Sequence, residues 1–298
     1  MPRTLTIAAA QYGLDPLASL DLHEAKITGW VEQAAGQGAE LLVFPEYGAM
    51  ELAAVAGKGS DLEASFAAVS DRFADLDRLH SGLAAKHRVT IVAGSGPRRR
   101  GDGCTVNTAR IFGPSGKMGS YDKMMPTPWE RGAGKMTGGR ELTVFDTGKA
   151  KIGLLICYDI EFPLLSRALA EAGAEVILAP SNTESEWGYW RVRTGCMARA
   201  LENQLYTVHA PTVGAAPWCV ACAMNTGAAG IFAPSDKGFP PGGILALGEM
   251  NRLQWVRARV DLDLIADVRA SGGVQIYKHW SEQLGAAPLP PARIADLA

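Results

Sequence analysis

The stretch of sequence that decides the fold reads IGLLICYDIEFP and spans residues 152–163. Its first five residues form an almost wholly apolar run, which is typical of a strand buried on both faces of a sheet. Cys157 follows this run directly, and Pro163 opens a helical pattern that continues to Ala172, in a position where a missing N–H costs nothing. The stretch therefore predicts a central strand, a turn that carries a cysteine, and a covering helix. Open α/β sheets bind their ligands at such strand ends.

The same alternation of short apolar runs and amphipathic stretches recurs along the chain and predicts an α/β class, or a layered α+β relative. We expect one domain over residues 1–285, because no repeat, linker or low-complexity tract interrupts it. Residues 117–139 lack periodicity and predict a long ordered loop, a feature that is usually functional. The tail over residues 286–298, with Pro288, Pro290 and Pro291, has a composition suited to an arm.

Composition excludes several classes of function. The 298 residues carry 29 Lys and Arg against 31 Asp and Glu. The net charge of −2 lacks the excess of positive charge that is typical of proteins that bind nucleic acid. The basic run at residues 98–100 is interpreted as a solvated turn. No apolar segment approaches the roughly 18 residues of a membrane span, and the odd number of cysteines favours a reducing compartment. We therefore expect a cytoplasmic protein without membrane or nucleic-acid partners.

Two further polar residues stand beside predicted strands or in the long loop. Glu46 follows the apolar strand at residues 41–44, where a carboxylate is costly unless it is paired or used. Lys123 lies in the aperiodic loop, with Met and Pro around it. Taken singly, these residues could be a helix cap and a solvated lysine, and Cys157 could be a core cysteine.

Taken together, the segments Phe44–Glu46, Tyr121–Lys123 and Gly153–Pro163 resemble the glutamate, lysine and cysteine motifs of the nitrilase superfamily of carbon-nitrogen hydrolases. Further similarity lies in residues 198–204, so that the resemblance runs from the first strand to about Val260. The resemblance implies a four-layer αββα sandwich that pairs into homodimers or higher oligomers. It also implies catalysis without a metal or an organic cofactor.

The resemblance assigns roles to these residues. Cys157 would be the nucleophile, Lys123 the cation beside it and Glu46 the general base, so that a thiolate becomes accessible near neutral pH. Lys123 and the backbone N–H of Tyr158 would stabilise the oxyanion. Glu130 lies where relatives carry a second glutamate that positions the substrate. The alternative interpretation of Glu130 is a carboxylate in a surface loop, without a role in the site.

The sequence also departs from the family pattern. Residues 124–130, MMPTPWE, follow the lysine where His-Leu is common, which leaves the shape of the pocket open. Tyr158 and Asp159 stand where true nitrilases usually have Trp-Glu, so an amide is favoured over a nitrile. The expected substrates are aliphatic amides, ω-amides or N-carbamoyl amines. We expect the acyl pocket to be lined by Asn182, Thr183 and Trp187. The alternative interpretation of these residues is a polar loop that leads into a helix whose tryptophan packs in the core.

Alternative functions of other classes remain open at this point. Cys219 and Cys222 form a Trp-Cys-x-x-Cys sequence, which is typical of dithiol oxidoreductases, although no helical pattern follows it. A single pair of this kind is too few for zinc. A papain-like Cys/His enzyme would need a histidine such as His209, which the apolar strand around it predicts to be a core residue. The last alternative is a binding protein that has kept the fold.

Overall fold

A computed structural model describes residues 2–283, 286 and 291–297 of the chain. The strands in this part of the chain are β1 (Thr4–Gln11), β2 (Leu41–Val43), β3 (Thr90–Val92), β4 (Gly96–Arg99), β5 (Thr105–Phe112), β6 (Met118–Asp122), β7 (Thr143–Asp146), β8 (Lys151–Leu154), β9 (Val176–Ser181), β10 (Tyr206–Pro211), β11 (Gly214–Ala215), β12 (Met224–Asn225), β13 (Gly230–Phe232), β14 (Ile244–Leu247), β15 (Gln254–Asp261) and β16 (Arg293–Asp296). The helices are α1 (Leu20–Gly36), α2 (Glu51–Val55), α3 (Leu62–Asp71), α4 (Phe73–His87), α5 (Pro128–Arg131), α6 (Pro163–Glu171), α7 (Glu186–Asn203), α8 (Asp263–Ser271) and α9 (Ile276–His279). Short 3-10 helices cover Gly48–Met50, Cys157–Glu161 and Trp280–Glu282.

Two large mixed sheets contain nearly all of these strands. The first has the order β15-β1-β2-β3-β5-β4, with β6 also paired to β5. The second has the order β14-β13-β10-β9-β8-β7-β16, and β11 pairs with β12 in a separate hairpin. Strands β1, β2 and β3 run parallel, as do β8, β9 and β10. Their carboxyl ends bring the loops after β2 and β8 to the candidate site.

The two sheets pack face to face, and helices cover their outer faces. Alternation along β1 shows how this arises: Ile7 and Ala9 join the core between the sheets, whereas Ala8 and Ala10 join the core beneath α1 and α4. Helices α6 and α7 contribute to the core on the far side of the second sheet. Because both faces of the central strands are buried, they read as continuous apolar runs. The α/β layered fold expected from the sequence is confirmed, with the layer order αββα.

The segment at residues 117–139 differs from the long loop expected from the sequence. It contains strand β6, which pairs with β5, and the single turn α5. Strand β6 lies at the margin of the sheet and is only partly buried, so its sequence carries no apolar run. The basic run is also more than a solvated turn, because Arg98 lies in β4 and donates to Asp122 at the end of β6.

The C-terminal tail is described in part. Residues 293–296 form β16, which pairs in parallel with β7 at the margin of the second sheet. Pro288 and Pro290 lie outside the described residues, so the arm expected there stays a prediction, as does the domain boundary at residue 285. None of the helices in the described ranges is long and apolar enough to cross a membrane.

Candidate active site

Glu46, Lys123, Glu130 and Cys157 line one cavity of about 500 Å³. Glu46 lies after β2, Lys123 directly after β6, Glu130 in α5, and Cys157 at the start of the 3-10 helix after β8. Each of the three charged residues exposes only 1% of its surface, and Cys157 exposes 6%. Charged groups this deeply buried are costly unless they are paired. The structure thus brings together the four residues that the sequence singled out.

Cys157 occupies a strained turn. Its backbone is left-handed, with a φ of 50°, a conformation that non-glycine residues rarely adopt outside turns and functional sites. The Sγ atom lies 3.6 Å from the backbone oxygen of Asn182, toward which it donates. The turn breaks the line of β8 and directs the thiol into the cavity.

The groups around Cys157 act on its protonation in opposite directions. Burial raises the pKa of the thiol well above its usual value, the Glu46 carboxylate adds to the rise, and Lys123 opposes it. Lys123 therefore does not by itself make the thiolate accessible near neutral pH. Deprotonation of Cys157 requires a partner that accepts the proton, and Glu46 is a carboxylate in contact with it.

Glu46 is held from several sides. Its Oε1 atom accepts from Lys123 Nζ at 2.7 Å and from Asn107 Nδ2 at 2.9 Å, and its Oε2 atom accepts from the backbone N–H of Asn182 at 2.7 Å. Burial raises the pKa of Glu46, Lys123 counteracts the rise, and the neighbouring Glu130 carboxylate adds to it. A carboxylate with a raised pKa is better suited to take and return a proton near neutral pH.

Lys123 bridges two carboxylates. Its Nζ atom lies 2.7 Å from Glu46 and 2.8 Å from Glu130. Burial alone would lower the pKa of this ammonium, but the two carboxylates overcome that effect and raise it. Lys123 is therefore a permanent cation in the cavity. The backbone of its loop is fixed by Gly139, which donates to the Lys123 carbonyl and has no room for a Cβ beside the Asp122 carbonyl.

Glu130 differs from Glu46 in its surroundings. It forms a capping box with Thr127 at the start of α5, and Tyr47 donates to its Oε1 atom at 2.8 Å. Burial would raise the pKa of Glu130, but Lys123 and these donors lower it. The site thus contains two carboxylates on one lysine, with their pKa values displaced in opposite directions. Such a divergence is typical of sites in which one carboxylate transfers protons and the other stays charged.

Two residues of this site were missed by the sequence analysis. Asn107 on β5 donates to both glutamates, at 2.9 Å to Glu46 and 3.1 Å to Glu130. Asp159 accepts from Tyr121 Oη and from the backbone N–H groups of Met124, Met125 and Ile156. Burial raises the pKa of Asp159 to about 7, against the opposing effect of Lys123. Because Asn107 lies among other polar residues in β5, TVNTARIF, the local sequence carried no signal for it.

Asp159 therefore ties the turn of Cys157 to the loop of Lys123. Ile156 precedes the cysteine, and Met124 and Met125 follow the lysine, so one carboxylate fixes both segments. The residue is fully buried and stands within the quoted stretch at 152–163. Its position in the sequence indicated a place near the site, whereas its partners became visible only in three dimensions.

Three of the four predicted binding residues line the cavity, namely Tyr158, Asn182 and Thr183. Asn182 contributes its backbone to Glu46 and Cys157, and its side chain donates to Asn225. Trp187 was predicted wrongly: its surface is 80% exposed, and it lies on a groove of the outer surface instead. Ser185 caps α7 and so fixes where the helix begins. With this start, Gly188 faces Thr183 and the cavity, and Trp187 faces outward.

The residues of the alternative functions lie as follows. Cys219 and Cys222 are buried, and the described residues 216–223 contain no helix. His209 bonds to Ser181 through Nε2 and stacks on Tyr189, as expected of a core histidine. Among the described residues, no group of three or more His, Cys, Asp or Glu side chains could hold a metal ion.

A layered αββα fold that gathers a cysteine, a lysine and two glutamates in one buried cavity is the arrangement that the sequence motifs predicted for a carbon-nitrogen hydrolase. The chain belongs to the carbon-nitrogen hydrolase family, whose model matches residues 6–250. This places it in the nitrilase superfamily, as the sequence motifs indicated.

Individual relatives agree with this assignment. The chain is 34% identical over 272 residues to the probable hydrolase YhcX of Bacillus subtilis (strain 168). The alignment covers 91% of this chain and 53% of that protein. It is 31% identical over 278 residues to a deaminated glutathione amidase of Synechocystis sp. (strain PCC 6803 / GT-S), covering 85% and 94%. The chain thus spans about half the length of the first relative and nearly all of the second.

A solved structure supports the fold. The carbon-nitrogen hydrolase from Helicobacter pylori G27 superposes with a TM-score of 0.74 at 21% identity, covering 90% of this chain and 92% of that one.

Proposed function

We propose that this chain is an amidase that hydrolyses a small amide through a thioester on Cys157. The observation that carries the proposal is the cluster in which Lys123 binds Glu46 at 2.7 Å and Glu130 at 2.8 Å, in the cavity that Cys157 lines. The arrangement supplies a nucleophile, a proton acceptor and a fixed positive charge, which are the groups that acyl transfer needs.

The first half of the reaction forms the thioester. Glu46 takes the proton of Cys157, and the sulfur attacks the amide carbonyl carbon, whose oxygen becomes an oxyanion. The Lys123 ammonium and the backbone N–H of Tyr158 stabilise that oxyanion, and one such donor is typically worth about 3 kcal/mol of the barrier. Glu46 then returns its proton to the nitrogen, and the C–N bond breaks, because an amine leaves only when it is protonated.

The second half releases the acid. Glu46 takes a proton from a water molecule, whose oxygen attacks the thioester carbonyl. The C–S bond breaks, the thiol regains its proton and the carboxylic acid leaves. Glu130 keeps its negative charge throughout and holds Lys123 in place, which agrees with its lowered pKa. No step in this scheme draws on a metal or an organic cofactor.

The residues after the cysteine and the size of the cavity bear on the substrate class. Tyr158 and Asp159 after the cysteine favour amides over nitriles, and a cavity of about 500 Å³ suits a small substrate. Aliphatic amides, ω-amides and N-carbamoyl amines are the candidates, and hydrolysis of a nitrile is the alternative. The relative from Synechocystis, named an amidase, supports the amide assignment. A dithiol oxidoreductase is disfavoured because Cys219 does not begin a helix.

The test is release of ammonia from a panel of aliphatic amides, ω-amides, N-carbamoyl compounds and nitriles. The wild type is compared with Cys157→Ala and with a matched control, Cys104→Ala, whose cysteine lies outside the cavity. We expect release by the wild type and the control on one amide class, and none by Cys157→Ala. Equal turnover by Cys157→Ala would refute the proposal.

We further propose that the chain forms a homodimer or a higher homo-oligomer, and that it acts in the cytoplasm. The outer face of α6 and α7 supports the first part, because Leu164, Trp187, Trp190 and Leu201 are all exposed there. Light scattering after size exclusion tests the assembly, and a monomeric mass at working concentration would contradict it.

A further inference from the structure

Cys219 and Cys222 form a pair that the proposed reaction does not use. They lie in the loop between β11 and β12, and both are buried. The backbone N–H of Cys222 donates to the carbonyl of Cys219 at 3.1 Å, which closes a turn across the four residues. The Cα atoms that end such a turn lie within about 7 Å of each other. Disulfides span Cα separations of about 4.4–6.8 Å, so these two thiols are spaced for one.

The pair can be reached from the cavity of the candidate active site. Cys222 lines that cavity together with Cys157, Glu46 and Lys123. A hydrogen bond from Cys222 lowers the pKa of the Cys219 thiol, which makes Cys219 the better nucleophile of the two. A small oxidant that enters the cavity therefore meets Cys222, and the more nucleophilic Cys219 sulfur lies next to it for the second step.

The turn is also connected to the groups that hold Cys157. Asn225 donates through Nδ2 to the Cys222 carbonyl at 3.0 Å, and its Oδ1 accepts from Asn182 Nδ2 at 2.5 Å. The Asn182 backbone in turn bonds to Glu46 and accepts from Cys157. A shift of the Cys222 backbone is thereby passed through two asparagines to both ends of the proposed proton transfer.

We propose that Cys219 and Cys222 are a site of reversible oxidation, at which a peroxide converts the dithiol to a disulfide and lowers the reactivity of Cys157. The regulatory meaning of this modification rests on the proposed function, whereas the modification itself does not. It also differs from a dithiol oxidoreductase, because the buried pair is reached only through Cys222 in the cavity, which admits a small oxidant and not a protein disulfide.

The chemistry balances as a two-electron oxidation. The Cys222 sulfur, which lines the cavity, attacks one peroxide oxygen, the O–O bond breaks, and the departing hydroxide takes the Cys222 proton to become water. The Cys219 sulfur then attacks the sulfenic sulfur of Cys222, the S–O bond breaks, and a second water forms with the proton from Cys219. Each thiol loses one hydrogen, the peroxide is reduced, and a small dithiol reverses the reaction by exchange.

The experiment exposes the full-length protein to limiting hydrogen peroxide and then measures two quantities by mass spectrometry. The first is the pairing of cysteines in mapped peptides, and the second is the rate at which iodoacetamide alkylates Cys157. We expect a 219–222 disulfide and alkylation slower by about tenfold, in the range of typical coupling between sites. Dithiothreitol should restore both.

Variants separate this site from oxidation of Cys157 itself. Cys219→Ala cannot form the disulfide, so its alkylation rate should stay unchanged by peroxide, with Cys219→Ser as the second variant if the first folds poorly. Cys196→Ala, which removes a buried cysteine of α7, should behave as the wild type. The proposal is overturned if peptides 219 and 222 stay reduced, if the disulfide leaves alkylation unchanged, or if Cys219→Ala loses Cys157 reactivity as the wild type does.

Both readouts are independent of turnover. A protein that hydrolyses no amide in the panel can still form the disulfide and slow alkylation, in which case only the proposed function fails. A protein that hydrolyses an amide and never forms the disulfide fails only the inference about oxidation.

Discussion

Lys123 donates to Glu46 across 2.7 Å, although 77 residues of sequence separate them. Both side chains are almost wholly buried, and a buried ion pair of this kind is weak evidence for stability, because the loss of hydration offsets the attraction. In the proposed mechanism the pair serves catalysis. Asn107 and the Asn182 backbone also donate to Glu46, and Glu130 also pairs with Lys123, so that the charges are held in one arrangement before a substrate arrives.

Replacing Lys123 tests the oxyanion role. Lys123→Met removes the cation and leaves Glu46 and Glu130 facing each other, so we expect kcat to fall by about 10²–10³-fold, the usual loss for one such donor. The measurement is kcat on the best amide of the panel, with thermal unfolding recorded beside it. Lys117→Met, which changes an exposed lysine beside β6, serves as the control. A folded Lys123→Met protein with the wild-type kcat contradicts the assignment.

Replacing Glu130 tests the electrostatic division between the two glutamates. The Glu130 carboxylate raises the pKa of Glu46, so Glu130→Gln should lower it. Because Glu46 must be ionised to act as the base, activity rises with pH through this pKa. The acid limb of the pH profile of kcat/KM should therefore move to lower pH in Glu130→Gln. Movement to higher pH would show that Glu130 does not act on Glu46 in this way.

Replacing Asp159 tests its positioning role. Asp159→Asn places an amide among four donors, which leaves at least one buried N–H without an acceptor at a cost of about 1–3 kcal/mol. We expect lower stability and a fall in kcat larger than the change in KM, because the turn of Cys157 and the loop of Lys123 lose their common anchor. Asp267→Asn, on an exposed face of α8, is the control. Loss of stability with kcat intact would restrict Asp159 to a structural role.

The burial of His209 should make the free energy of unfolding depend on pH. Burial lowers the pKa of His209 from 6.5 to about 3, with Arg193 adding to the effect. Between these values the unfolded chain binds a proton that the folded chain does not, so the free energy of unfolding falls as the pH decreases. The slope contributed by one such group is about 1.4 kcal/mol per pH unit.

The measurement is chemical denaturation of the wild type and His209→Gln from pH 7 to pH 4. The variant should lose this part of the slope and keep its amidase activity at neutral pH, because His209 bonds to Ser181 within the core. An inactive but folded His209→Gln protein would favour a Cys/His mechanism instead.

Local apolar runs predicted the α/β class and the strand ends before Glu46 and Cys157. The four-layer arrangement and the grouping of these residues with Lys123 were expected from the resemblance of three motifs to a family. A strand buried on both faces reads as an apolar run, and the polar residue that follows it marks the end of the strand. Strand β6 was missed for the opposite reason, since a half-exposed strand at a sheet margin carries no such run.

Features that depend on contacts between distant segments were not predictable. Asn107 donates a hydrogen bond to Glu46, which lies 61 residues away in the sequence, and no local sequence pattern predicts that contact. The error at Trp187 arose from the phase of a helix. The Ser185 cap sets which side of α7 faces the cavity, and one residue along the helix turns a side chain by about 100° around the axis. The raised pKa of Cys157 likewise follows from burial, which the sequence does not specify for a single residue.

The central claim is that Cys157 carries the acyl group during turnover. The most direct measurement is acid quenching of the wild type during hydrolysis of its best amide, followed by mass spectrometry of the peptide that contains residue 157. The account predicts that this peptide gains the mass of the acyl group and that Cys157→Ala gains none and releases no ammonia. Steady release of ammonia by Cys157→Ala, with no acyl group on any wild-type peptide, would contradict it.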